Sequence, residues 1–578
     1  MKKLFLLFAA AISMLAFNSC QDSDDTPDAP ESEGPNYLVM MYGVGGGELD
    51  GFILSNIMQA IDEGGNENVK MTFEYKLSYM YQEEPKCASF NGTRRFTYDD
   101  NAEFTGTFKE ESPNYPYLTD ESVIYYMNNL KSEKIGDETY DIASPESLAD
   151  FIKWSKEKYP NAKHTLLIMN DHGRGWDIAA DGKLTTRTIF EDDNLDGKYF
   201  TDIDVMTGIN NAGGVDVLYA DACLMNMYEN VYAYSKAAKY LLAAMEVAPG
   251  EGGDYRKLIS VLKNANADEA SMESAFCQYV DYNASAEWWG KNDINYADLG
   301  FYNLTKLSNI TSVLKKASNT LAEKFTSSES IQPAAAAPAL GDNFAPYIRY
   351  AVNHCEIAQE HWVYKLDEIP NDLKPYVIAD GLFDPETSLD EHYTYCDAPQ
   401  LMYWLRVAPT PGALEAFEKY PEARKKLQNK ILKNMLCSYS ITHMLRILDN
   451  ELTKVGAKNN PFKQLHIELL DAIKSVGHIA CTTPKPISGI DEAYELCSPC
   501  LVIIPLNSVS YQSDYNYAKY DLKDYNEALR IYQASEFDKQ VGWSKFLQVL
   551  DVQPSPFTNI TRQELEETAE TPFHIWGK

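Results

Sequence analysis

Two residues in this chain have the chemistry for acyl transfer. His172 lies in "NDHGRGW" and Cys223 in "ADACLMN", and each follows an apolar run that reads as a strand, 165–170 and 215–219. In a parallel sheet, an imidazole and a thiol at neighbouring strand ends would face one cleft, as nucleophilic catalysis requires. The segment after Cys223 reads as a helix beginning at once, which would set the thiol at a helix N-terminus and favour the thiolate. Gly173 lets backbone approach a substrate closely, and its N–H and that of Cys223 would supply two donors to a developing oxyanion. His172 would help generate the thiolate and protonate the leaving amine. Taken singly, a buried cysteine is usually an inert small hydrophobe and a loop histidine a structural one. Their joint placement is what argues for chemistry.

The elements that must hold these residues alternate along the chain. "YLVMMYGVGGG" is an apolar run closing in glycines, and "FILSNIMQAID" follows with helical spacing. "MTFEYKLSYMY" reads as a strand. "SPESLADFIKWSKEKYP" reads as a helix with Ser144 as N-cap, and "YLLAAMEVAPGEGGDY" as a strand broken by Pro249. Strands separated by helices predict an α/β fold, a mostly parallel sheet flanked by helices. Beyond about residue 255 the pattern weakens. "LTKLSNITSVLKKASNTLAEKF" is a further helix, and "SSESIQPAAAAPALGDN" has the composition of a connector. The chain is thus read as a signal (1–20), an acidic tether (21–36), a catalytic α/β domain (37–330) and a C-terminal α+β extension (331–578).

Bulk composition sets limits. The 578 residues are 45% hydrophobic and 24% charged, with a formal charge of −34 that argues against a nucleic-acid or anionic-membrane surface. The start is that of a targeting segment: Lys2 and Lys3, then "LFLLFAAAISMLAF", then Ser19 before Cys20. It resembles a bacterial lipoprotein signal with Cys20 as the lipidated residue, although Phe17 and Asn18 fit that pattern poorly and leave ordinary secretion as the alternative. The "QDSDDTPDAPESEGPN" that follows reads as a disordered tether. Both readings put the protein in the bacterial cell envelope, lipid-anchored at an outer membrane, or outside the cell. Cys497 and Cys500 form one C-x-x-C with no second pair or histidine to complete a zinc set.

The blocks "LLIMNDHGRGW" and "VLYADACLMNMYENVY" resemble the H-G and D-A-C blocks of the clostripain-like cysteine peptidases, supported by "EVAPGEGGDY" and "GWSKFLQVL". The resemblance is strongest over residues 37–255. It implies a caspase-like fold, a monomer, and a His172–Cys223 dyad with the Gly173 and Cys223 amides as oxyanion hole. It further implies that Asp221 is the acid at the base of the specificity pocket, which makes the expected activity cleavage of protein or peptide substrates after Arg or Lys. The physical logic agrees, because a partly buried carboxylate needs a cationic partner and the planar guanidinium fits it best. Glu246, Asp254 and Tyr255 are candidate substrate contacts from the block after Cys223. Relatives of this type mature by self-cleavage between the two blocks, so Lys183 and Arg187 are candidate sites of a two-chain form. Asp192, Asn194 and Asp196 match the first half of a calcium loop, with Ile203 where its closing Glu would stand. Calcium is thus the one cofactor the sequence suggests, and none is required by the dyad. Two readings compete: a catalytically silent surface protein that binds basic peptides in an acidic cleft, and a metal-dependent hydrolase built on Asp171, His172 and Asp177.

Overall fold

The structure is a computed structural model. It describes residues 34–45, 49–76, 92–107, 127–178, 186–192, 198–245, 252–285, 297–326, 363–380, 410–427, 437–482 and 525–551, apart from single positions within these spans, with isolated residues and short pieces between them. The strands in chain order are β1 (Tyr37–Gly43), β2 (Val69–Lys76), β3 (Thr93–Thr97), β4 (Glu133–Gly136), β5 (His164–Asn170), β6 (Gly173–Ile178), β7 (Thr186–Asp192), β8 (Lys198–Phe200), β9 (Val215–Asp221), β10 (Ala238–Ala243) and β11 (Ala297–Asn303). Four short strands follow, β12 (Glu356–Ala358), β13 (Val363–Lys365), β14 (Tyr395–Asp397) and β15 (Cys437–Tyr439), and then β16 (Gly477–Thr482).

Nine of these make one sheet in the order β16-β11-β10-β9-β5-β1-β2-β3-β4. The five central strands, β10 to β2, run parallel, and antiparallel strands are added at both edges. Their sequences are near-continuous apolar runs because both faces are covered. Successive side chains point to opposite faces, so Leu38, Met40 and Tyr42 of β1 enter one core cluster while Tyr37, Val39 and Met41 enter the other. The helices α1 (Asp50–Glu63), α5 (Tyr255–Lys263) and α6 (Glu269–Asn283) supply the second cluster. The first is filled by α2 (Pro145–Lys158), α3 (Asp202–Asn211), α4 (Tyr228–Tyr234) and α7 (Ser308–Thr326). Helix α2 starts where its cap predicts, with the Ser144 side chain accepting from the Ser147 amide.

Segments from residue 441 onward complete this body, while residues 369–427 pack in a cluster of their own. Strand β16 pairs with β11 at the sheet edge. Helices α8 (Ile441–Lys454), α9 (Pro461–Val476), α10 (Tyr525–Ala534), α11 (Glu536–Val541) and α12 (Ser544–Asp551) lie on the same side of the sheet as α7 and share its core.

From β1 the chain builds toward β2 on one side, and from β5 toward β9 and β10 on the other. The carboxyl ends beside this reversal are where a doubly covered parallel sheet opens a crevice. His172 and Cys223 both follow strands that end there. One local expectation fails: the helix after Cys223 begins at Tyr228 rather than next to the thiol, and it has 7 residues. Leu224 takes a left-handed backbone, φ 67°, and turns the chain first. Cys223 therefore sits in a turn and gains nothing from a helix dipole, whose influence fades within one turn.

Candidate active site

The two catalytic candidates are brought together through backbone. Strands β5 and β9 are direct neighbours in a register that sets Asn170 opposite Asp221. Gly173 then packs against the Cys223 turn so closely that a Cβ there would overlap the Cys223 carbonyl oxygen and lie 2.7 Å from its amide nitrogen. No other residue type fits at 173. The amide of His172 donates to Asp171 Oδ1 at 2.7 Å, and its carbonyl accepts from Phe190 at 3.0 Å, which fixes the loop between β5 and β7. The thiol of Cys223 is half-buried and lies 3.6 Å from the Ala248 carbonyl oxygen. Asn226 ties the far side of the turn to β10, its amide donating to Ala244 at 2.8 Å.

Asp221 is the most elaborately held side chain of the site. Residues 217, 219 and 221 alternate onto the face where α5 packs, as do 166, 168 and 170 of β5. The carboxylate accepts the Tyr255 hydroxyl at 2.6 Å, the Tyr219 hydroxyl at 3.1 Å, Asn170 Nδ2 at 3.1 Å and the Gly253 amide at 3.5 Å. Asn170 also donates to the Tyr255 hydroxyl at 3.1 Å. All four partners are neutral, and Asp221 is 8% exposed. Burial pushes its carboxyl above the ordinary range, against the opposing pull of these hydrogen bonds. The same burial, with the Asp221 charge second, raises the Tyr255 and Tyr219 hydroxyls.

A small cavity of about 20 Å³, enough for one water, adjoins Asp221 and is bounded by Ala248, Gly252, Gly253, Asn283 and Asp298. Gly252 has a positive φ of 63°, and a Cβ there would come 2.8 Å from Asp221 Oδ2. The wall of the cavity can approach the carboxylate only as glycine.

The other sequence candidates fall as follows. Tyr255 is fully buried and its hydroxyl reaches Asp221, so it supports the acid rather than facing an open cleft. Asp254 caps α5, accepting from the Lys257 amide at 3.0 Å, and burial raises its carboxyl. Asp192 is buried and ion-paired with Lys76 at 2.5 Å. Arg187 stands in β7 opposite Asp177. Cys20, Lys183, Asn194, Asp196, Glu246, Cys497, Cys500 and the connector from 327 lie outside the described residues. Among the described residues, no group of three His, Cys, Asp or Glu is placed to share a metal ion, and no helix is long and apolar enough to cross a membrane. Sequence reasoning missed Asn170, Tyr219 and Gly252. Only the strand register and the loop conformation bring them to Asp221.

The model of the clostripain family matches residues 118–404, a span that includes both strand ends and their loops. Over that span, just under half of its length, the chain is similar to the clostripain family of cysteine peptidases. The nine-stranded, mostly parallel sheet flanked by helices is its caspase-like fold. A secreted C11 cysteine protease from Bacteroides thetaiotaomicron, solved in complex with an irreversible peptide inhibitor, is 14% identical with a TM-score of 0.35 over 49% of this chain and 70% of that one. An inactive zymogen C11 protease from Parabacteroides distasonis is 13% identical with a TM-score of 0.40 over 88% of this chain and 98% of that one. No curated protein matches the chain in sequence.

Proposed function

We propose that this chain is a clostripain-like endopeptidase that cleaves after arginine or lysine. The Cys223 thiolate attacks the carbonyl carbon of the scissile bond, forming a C–S bond and an oxyanion that the Gly173 and Cys223 amides receive. His172 gives its proton to the leaving amine as the C–N bond breaks. Water then attacks the thioester while His172 takes its proton, and as the C–S bond breaks the acid product leaves with the Cys223 thiolate and protonated His172 restored.

The observation that carries the specificity is Asp221: a buried acid two residues before the nucleophile, satisfied by neutral donors alone. Such a carboxylate gains most from a cation brought by a ligand, and a guanidinium supplies two parallel N–H donors. The arginine would displace the water-sized space beside Asp221 and push back the Gly252–Gly253 wall. Asp254 and Tyr255 then act by holding α5 and Asp221 in place.

The test is turnover of fluorogenic peptides ending in Arg, Lys, Asp or Ala by wild type and Cys223→Ala. Turnover of Arg and Lys peptides alone, abolished in the variant, is expected. Silence on all four by intact and trypsin-nicked protein would instead favour a surface protein that binds basic peptides.

Three further readings extend this one. Self-cleavage after Lys183 or Arg187 gives a two-chain form in wild type and none in Cys223→Ala; equal products from both would dismiss it. Calcium binding in the 192–196 loop would have to draw Asp192 from its buried pair with Lys76 and would make activity sensitive to chelation; activity unchanged in strong chelator removes the idea. Envelope anchoring through Cys20 predicts acyl labelling that Cys20→Ser abolishes.

A further inference from the structure

The C-terminal helices reach the active site from below, and one side chain joins its two halves. Tyr532 of α10 is fully buried. Its hydroxyl donates to Glu229 Oε1 at 3.0 Å, in the first turn of α4, the helix that follows the Cys223 turn. Its ring stands edge-on to Trp176 at 5.5 Å between centroids and 89° between planes. Trp176 belongs to β6, the strand that begins with Gly173 immediately after His172. One tyrosine thus contacts both the segment that carries the imidazole and the segment that carries the thiol.

The neighbouring contacts have the same sense. Phe537 of α11 stacks on Tyr228 at 5.7 Å and meets Tyr232 edge-on at 5.2 Å, so α4 rests on the C-terminal helices along its length. Beyond the strand pairing and the close backbone packing of Gly173 on the Cys223 turn, the hydrogen bond described between the two loops is softer, a Trp176 amide donating to Met227 Sδ at 3.0 Å. Sulfur is a weak, adaptable acceptor on a flexible side chain. An aromatic edge contact and an oxygen hydrogen bond made by one rigid ring impose more geometry.

We propose that Tyr532 is a positioning residue of the peptidase, a clamp from the C-terminal region that sets the spacing of the His172 and Cys223 loops. The proposal rests on the reading of His172 and Cys223 as the reacting pair. It assigns residues 525–541 to the catalytic apparatus, although they lie some three hundred positions from the nucleophile. The clamp touches neither substrate nor reacting atoms, so its loss is felt in the chemical step rather than in binding.

The experiment compares Tyr532→Phe, Tyr532→Leu and Phe546→Leu with wild type, all as the full chain. Phe546 is buried in the same core on α12 and is packed against Trp543, which makes it a control for destabilisation alone. Each protein is assayed for kcat and KM on an arginyl peptide, for the rate of Cys223 alkylation by iodoacetamide, and for Tm. Tyr532→Leu, which removes both contacts, is expected to lower kcat about 10²-fold with KM within about twofold. Tyr532→Phe keeps the ring against Trp176 and is expected to fall between, and Phe546→Leu to keep wild-type kcat. Unchanged kcat in Tyr532→Phe and Tyr532→Leu, or an equal kcat loss in Phe546→Leu at the same drop in Tm, overturns the clamp. If Tyr532→Leu does not fold, the Tyr532→Phe ratio decides alone. Wild type that cleaves no peptide would defeat the peptidase reading, and the alkylation ratios would then decide the clamp by themselves.

Discussion

Two of the acids buried near the carboxyl ends of the sheet, Asp192 and Asp221, are satisfied in opposite ways. Asp192 meets an internal cation, Lys76 Nζ at 2.5 Å, with both side chains fully buried and the ammonium also donating to the Tyr140 carbonyl. Among the described residues, Asp221 meets two hydroxyls and two N–H groups and no cation. A carboxylate neutralised from within is part of the scaffold: it pins β7, and with it the segment between the His172 and Cys223 loops, to β2. A carboxylate surrounded only by neutral donors keeps its charge for a ligand to meet. On the proposed reading, burial alone does not mark a functional acid; the identity of its partners does.

That contrast can be broken from either side. Lys76→Met strands the Asp192 charge in the core and is expected to cost about 3–5 kcal/mol in urea unfolding. The double variant with Asp192→Asn should recover much of that loss, because the orphaned charge is gone. Full additivity of the two single losses would show that the pair is not coupled.

Asp221→Asn should do the reverse, sparing the fold and striking the activity. On the proposed reading, kcat/KM for arginyl peptides falls about 10²- to 10³-fold, and arginyl turnover unchanged in the variant would undo the assignment. Stability carries its own signature. The folded carboxyl titrates above its unfolded value of about 3.9, so the folded state binds the proton more tightly. Wild type then loses stability as pH rises from about 4 through the raised value, and Asp221→Asn does not. At pH 7 the variant is expected to melt no lower than wild type, with any advantage vanishing below pH 4. A variant that melts well below wild type at pH 7 would make Asp221 structural.

The smallest effect belongs to the shell. Tyr255→Phe removes one hydrogen bond from Asp221, worth about 1 kcal/mol, and should raise KM for arginyl peptides about fivefold. It should also move the acid limb of kcat/KM upward in pH, since a donor that favours the ionised form is gone. An unshifted limb would mean that Asp221 does not control binding.

Much of this site was legible before any coordinates. The runs ending at Asn170 and Asp221 are apolar enough to be strands and close in residues too polar to continue them, so His172 and Cys223 could be placed at strand ends. The partners of Asp221 could not. Asn170 meets it through the register of adjacent parallel strands, and sequence does not state which strands are adjacent. The turn at Leu224 gave no warning, because a left-handed leucine carries no compositional signal, and "NMYENVY" has helical spacing from Asn226 onward. The sequence suggests Tyr255 as a substrate contact, whereas its hydroxyl reaches Asp221: it opens α5, and its direction depends on how that helix docks. The docking of the C-terminal helices was invisible for a similar reason, since an amphipathic pattern names a buried face and not the surface that buries it.

The edge pairing of β11 with β16 also bears on how the protein reaches its working form. The two strands are separated by residues 304–476, so the sheet cannot close until its last strand has been synthesised. At ordinary rates of synthesis that interval is about 10–35 s, during which one edge of β11 offers unpaired backbone to any passing strand. Pairings this distant along the chain are slow to form. The nascent chain thus spends its most vulnerable period with the His172 and Cys223 segments already made and their frame incomplete, which is when a chaperone would matter most.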